Sequence, residues 1–149
     1  MPLSKIWLSV ALAALSGALM TLQGSFNSAL LKKIGLANMA LFVSATGFIV
    51  ALGTFLAWGR WSKLLQMTKV PWYGWLGGAI GVAIIAGVAY AIRQVSTALA
   101  ISSIITAQLA TALAVDHFGL FQSEQVAMTW LRFLGLAMMI TGTYLMARR

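Results

Sequence analysis

The chain has no cysteine, two acidic residues and one histidine among its 149 residues. Without cysteine there is no disulfide framework, no thiolate metal ligand and no cysteine nucleophile, and nothing in cysteine usage marks a redox compartment. His117 cannot build a metal site alone, so neither a metal nor any other cofactor is expected. Charged residues make up 8% of the chain, against roughly a quarter in an ordinary soluble domain. A soluble globular fold is thereby excluded. No low-complexity segment and no separate soluble domain is present.

What the chain does have is apolar length: 61% of its residues are hydrophobic and its formal charge is +8. The basic residues flank apolar runs instead of forming a patch, which argues against nucleic acid as a partner and for the lipid bilayer. A hydrocarbon core about 30 Å thick needs roughly 20 helical residues, because in lipid each backbone group must be bonded within its own segment. Five stretches meet this, at about 6–31, 36–58, 73–92, 97–115 and 129–147. Lys5 and the apolar run after it have the outline of a signal peptide, but the apolar character continues to Leu31, so this segment is read as the first span. Segments 32–35 and 93–96 are short, whereas 59–72 and 116–128 are longer. The expected fold is all-α, a single transmembrane domain of two tight hairpins and a fifth helix.

The ten basic residues divide evenly between the two sides of such a bilayer. Lys5, Arg60, Lys63, Lys69 and Arg132 fall on the side of the N-terminus; Lys32, Lys33, Arg93, Arg148 and Arg149 fall on the other. An excess of Lys and Arg in short cytoplasmic loops sets orientation, so a chain without one inserts both ways or takes its orientation from a partner. All six tryptophans, Trp7, Trp58, Trp61, Trp72, Trp75 and Trp130, map to the N-terminal side as interfacial anchors. An odd number of spans puts the termini on opposite sides. Two oppositely inserted copies would place tryptophan belts at both interfaces and total ten helices.

Among the small residues, Gly77 with Gly81, and Gly135 with Gly142, lie at spacings that let another helix approach, and read as packing positions. Gly47 with Ala51 reads likewise. Pro71 marks the entry to the third span.

The two carboxylates, Asp116 and Glu124, sit in or beside the segment between the fourth and fifth spans. No acid lies mid-membrane, so proton or cation exchange on a buried carboxylate has no candidate. The deep polar groups are amides and hydroxyls: Gln23, Ser25 and Asn27 in the first span, and Ser102, Ser103, Thr106, Gln108 and Thr111 in the fourth. Gln23 and Asn27 are spaced i,i+4, and Gln108 and Thr111 i,i+3, so each pair shares a helix face. These groups either bond across helices or line a polar cavity that binds a solute. Candidate substrate contacts are Gln23, Asn27, Ser103, Gln108 and Thr111. Asp116 and His117 end the fourth span, where Gly119 suits a C-terminal cap. Arg132, just inside the fifth span, is placed to reach Glu124 or Asp116, which makes Asp116, His117 and Arg132 candidates for gating or coupling. Arg93 is expected to snorkel to the interface. An enzyme is not expected, since no nucleophile and base are brought together.

The runs Gly24-Ser25-Phe26-Asn27, Pro71-Trp72-Tyr73-Gly74-Trp75-Leu76-Gly77-Gly78, and Gln108-Leu109 followed by Asp116-His117-Phe118-Gly119 resemble the small YdcZ-type inner-membrane exporters of the drug/metabolite transporter superfamily. The last run is the most specific, although Ala107 stands where glycine usually precedes the glutamine. The resemblance covers nearly the whole chain. It implies a multi-pass protein of the bacterial inner membrane, with about five helices, assembling as an antiparallel homodimer or with a related partner chain. It names no solute. The leading expectation is a transporter or exporter of a small solute, with access alternating across the dimer interface. A dual-topology ion channel, or an accessory membrane subunit without transport of its own, are the alternatives.

Overall fold

The computed structural model describes residues 3–122 and 124–148, which leaves Arg149, counted above on the second side, outside the described residues. The described residues form helices and their connections with no strand. The order is α1 (Leu3–Ile34), α2 (Leu36–Trp58), α3 (Trp61–Leu64), a 3-10 segment (Leu65–Lys69), α4 (Trp72–Gln94), α5 (Thr97–Phe118), a 3-10 turn (Leu120–Gln122) and α6 (Trp130–Ala147). Five of these helices, α1, α2, α4, α5 and α6, are long and apolar enough to cross a membrane.

The sequence pattern explains where each helix stops. Lys32 and Lys33 are good helix formers and do not break the first span. It runs to Ile34, and the turn expected over four residues shrinks to Gly35, whose φ of 80° few side chains would tolerate. At 32 residues, α1 is about 48 Å long, well beyond the hydrocarbon core, so its ends reach the headgroups or the helix tilts. Pro71 precedes α4 directly, and its carbonyl accepts the N–H of Gly74 at 2.9 Å. Ser96 caps α5 by accepting the N–H of Leu99, and Thr129 caps α6 by accepting that of Arg132. Gly119 closes α5 in the left-handed conformation at φ 60°, its N–H directed at Asp116 and Val115 carbonyls. Phe121 in the next turn also has a positive φ, 55°, uncommon outside glycine.

The chain divides into two compact units, Met1–Gln94 and Val95–Arg149. In the first, α1 packs against α4 and α2, and α2 against α4. Met39 is fully buried there, in a cluster with Leu31 and Ala89 that Leu30, Val43 and Ile85 surround. Gly24 sets the closeness of α1 and α4, since a Cβ at this position would lie 2.8 Å from Val88 Cγ1 and 2.9 Å from Ile92 Cδ1. In the second unit α5 packs against α6. The short connection at Val95 and Ser96, read from sequence as the turn of a second hairpin, lies at the boundary between the units.

Candidate functional site

Helix α1 carries the polar groups of the first unit. Asn27 and Ser28 are buried, at 6% and 5% exposure, on the side that also buries Gly24. Gln23, one turn earlier, is exposed. Four residues advance a helix by about 400°, so Gln23 and Asn27 stand roughly 40° apart, enough to separate an edge from a buried flank. Both nonetheless line one groove of about 570 Å³ along α1, with Ser16 as its other polar residue and Leu19, Leu22 and Phe26 among the apolar ones.

Several hydroxyls along this helix bond within it. Ser16, Thr21 and Ser25 donate to the carbonyls of Leu12, Gly17 and Thr21 at 2.8, 3.1 and 2.9 Å. Such back-bonding satisfies a membrane serine or threonine within its own helix. Asn38 shows that a carboxamide can bond back in the same way, to the Ile34 carbonyl at 2.9 Å, but among the described residues neither Gln23 nor Asn27 makes a side-chain hydrogen bond. Among the described residues no fully enclosed side-chain polar atom lacks a partner, so the unbonded atoms of Asn27 are those that open on the groove. A buried amide with unused donors and acceptors beside an apolar trough can bind a small polar molecule.

Helix α5 carries the polar groups of the second unit. Ser103 and Thr111, exposed, donate to the carbonyls of Leu99 and Ala107 at 2.8 and 2.9 Å. Gln108 is exposed as well. A polar contact that joins α5 to α6 lies at Thr106 Oγ1 and Thr143 Oγ1, 2.9 Å apart, and Thr143 also reaches the Ser102 carbonyl at 3.3 Å. Thr143 was not singled out from sequence, since with Thr141 it makes only a short i,i+2 pair that puts the two on different faces of α6. Thr143→Val should lower the stability of the α5–α6 pair by about 0.6 kcal/mol, and by no more than roughly 1.7. A thermal unfolding series in detergent measures this, and Thr106 keeps the Ser102 carbonyl as a partner at 2.8 Å in the variant.

At the end of α5, Asp116 and Arg132 face each other at 3.9 Å, both half-exposed. Of the two acids that Arg132 could reach, the structure pairs it with Asp116. At that distance and exposure the pair adds little to stability. The backbone does more to hold this segment. The Asp116 carbonyl accepts the N–H of Val126 at 2.8 Å, the His117 carbonyl accepts Nε2 of Gln125 at 3.1 Å, and His117 Nδ1 accepts the N–H of Met128 at 3.3 Å. The Asp-His pair thus fastens the returning chain to the end of α5, with the imidazole ring edge-on to Phe118 at 4.9 Å. His117→Ala leaves the Met128 N–H without its acceptor, worth about 1 kcal/mol. Hydrogen exchange at Met128 should therefore quicken about fivefold while the helices keep wild-type protection. Among the described residues no three His, Asp or Glu side chains gather as a metal site would require.

The glycines expected to mediate packing stand open within the chain. A Cβ built at Gly77, Gly81, Gly135 or Gly142 would meet nothing within 4 Å. Gly24 and Ser28, the small pair that is buried, have the same i,i+4 spacing as Gly77 and Gly81, so the same rule could have found them.

No curated protein and no solved structure matches the chain. One family model does, described as "Putative inner membrane exporter, YdcZ", and it matches residues 8–145. The match takes in three of the five spans whole and most of the first and last, with the α1 groove and the Asp116-His117-Phe118-Gly119 run. The expected exporter resemblance is thus met along nearly the full length, and this multi-pass membrane protein belongs to the YdcZ family.

Proposed function

We propose that the chain exports a small neutral or weakly polar organic solute, bound by Gln23 and Asn27 on α1, with access alternating across an antiparallel pair of copies. The family's description supports a transporter in general over an enzyme. The observation that carries the finer reading is Asn27: a carboxamide at 6% exposure, without a hydrogen bond among the described residues, beside a groove of a size that suits a small molecule. No acid lies within the groove, so neutral hydrogen-bonding groups suit it better than cations.

The groove is walled by α1 alone, and a second surface is what would close it. A second copy inserted the other way would supply that surface. The even division of basic residues favours both orientations, and the odd number of spans permits them. Ser103, Gln108 and Thr111 are the positions that α5 offers to a polar solute. Asp116, His117 and Arg132 join the end of α5 to the start of α6, where a change in the connection would gate movement of one helix against the other.

Two measurements test this. Solutes that raise the melting temperature of the purified chain should show saturable counterflow in proteoliposomes; conductance far above carrier turnover would replace the carrier with a channel. Cysteines added at both termini and labelled from each side should reveal two orientations. A single orientation in all molecules would remove the antiparallel homodimer.

A further inference from the structure

The segment between α2 and α4 is short-helical, and both apolar and basic. After α2, the chain turns at Gly59, where any side chain would collide with the ring and carbonyl of Phe55. It then forms α3 and the 3-10 segment Leu65–Lys69 before Pro71 admits α4. Trp61 packs edge-on against Phe55 with ring centroids 4.9 Å apart, which fixes the first turn of α3 to the end of a membrane span.

The sequence of that turn is two-sided. Trp61, Leu64 and Leu65 are spaced i,i+3,i+4, and Arg60 and Lys63 are spaced i,i+3 on a neighbouring face. Trp61 and Leu65 are 66% and 82% exposed, and Trp58 and Trp72 at the flanking helix ends are likewise exposed. Lys69 adds a third cation before Pro71. None of the three has a carboxylate partner among the described residues, where the ion pair found is Arg132 with Asp116. The unit Met1–Gln94 contains no Asp or Glu at all, so no acid of its own can neutralise them.

We infer that this segment lies in the plane of the membrane surface and is a docking site for anionic phospholipid headgroups. Trp61, Leu64 and Leu65 enter the acyl boundary, while Arg60, Lys63 and Lys69 meet lipid phosphates. An amphipathic turn with tryptophan on one face and basic residues on the other is the pattern that seats in this layer. A zwitterionic headgroup would satisfy the apolar face and leave the charge uncompensated; an anionic one satisfies both.

The cysteine-free chain allows one label to test it. Leu65→Cys, at an exposed position, is modified with an environment-sensitive fluorophore, and the full chain is reconstituted in phosphatidylcholine vesicles. Phosphatidylglycerol or phosphatidylcholine carrying a nitroxide near the carbonyl is then titrated in. Phosphatidylglycerol should associate at least about fivefold more strongly, the equivalent of one basic residue near an anionic surface. That preference should fall to parity in R60Q/K63Q/K69Q, and also in about 1 M salt, where the screening length is roughly 3 Å. Equal quenching by the two lipids with the cations in place overturns the inference. Quenching by neither overturns it too, since the segment would then stand in water. Should the triple variant misfold, the salt titration on the unsubstituted cations decides.

Discussion

Asn27→Leu is expected to lower solute counterflow at least tenfold while leaving the melting temperature of the chain unchanged or raised. The two halves of this expectation have opposite signs for one reason. The amide of Asn27 has no partner in its own chain to lose, and leucine, with the same number of side-chain heavy atoms, carries its branch into the groove without the cost of covering a polar group. Stability therefore gains or stays level. A solute that bonded to the amide loses that bond, and 1.4 kcal/mol is already tenfold. Asn27→Gln, which keeps the amide and moves it, should retain part of the activity. Gln23→Leu should have the smaller effect, because Gln23 is exposed and its amide is hydrated or lipid-facing when no solute is bound. A merely structural Asn27 predicts something else: if it bonds across to a second copy, Asn27→Leu lowers chemical cross-linking of the pair along with transport. Wild-type counterflow in Asn27→Leu would end the assignment of the groove as the solute site.

The spans were legible in the sequence because lipid leaves the backbone one option. An apolar run of sufficient length must be a helix, and five were found where five were expected. Their ends were harder to place. The first span runs three residues past Leu31 to Ile34 because nothing before Gly35 interrupts helical hydrogen bonding, and basic side chains at a membrane surface can snorkel. The 59–72 connection stood out in the sequence only by its length, although Arg60, Trp61, Lys63, Leu64 and Leu65 already spell an amphipathic turn; one turn is too short to show a helical period. In the groove, the residue types were legible but their burial was not. Gln23 and Asn27 share a face by spacing, yet which of them is covered depends on where α4 lies, and that is set by Gly24. The Asp116-His117 pair was recognisable as a helix end with its glycine cap. That its backbone and imidazole hold Val126, Gln125 and Met128 depends on the path of the returning chain, which no local pattern encodes.

Gly24→Leu should destabilise the chain by about 3 kcal/mol or more. Alanine there is the informative intermediate. Its Cβ would stand 2.8 Å from Val88 Cγ1 and 2.9 Å from Ile92 Cδ1, closer than carbon atoms pack, but both are side-chain ends that can give way. The gain of about 1 kcal/mol in helix propensity offsets most of that strain, so Gly24→Ala should be nearly neutral. Leucine adds three further carbons to the same gap, where overpacking typically costs 1–3 kcal/mol or more, and α1 must separate from α4. Loss of that contact also uncovers Leu31 and Ala89, which are 2% and 0% exposed, so the cost grows with the cluster it opens. Thermal unfolding followed by helix content and by monodispersity in detergent measures the series; a wild-type midpoint for Gly24→Leu would show that the α1–α4 approach is not held by this residue. Gly77→Leu is the matched comparison. It has the same chemistry, but nothing of its own chain lies within 4 Å of the new Cβ, so its midpoint should match or exceed the wild type. What leucine at 77 can strike is another molecule. Under the antiparallel pairing proposed above, Gly77→Leu with Gly81→Leu should then reduce cross-linked dimer while the monomer stays folded, which separates the glycine that builds the chain from those left to build the pair.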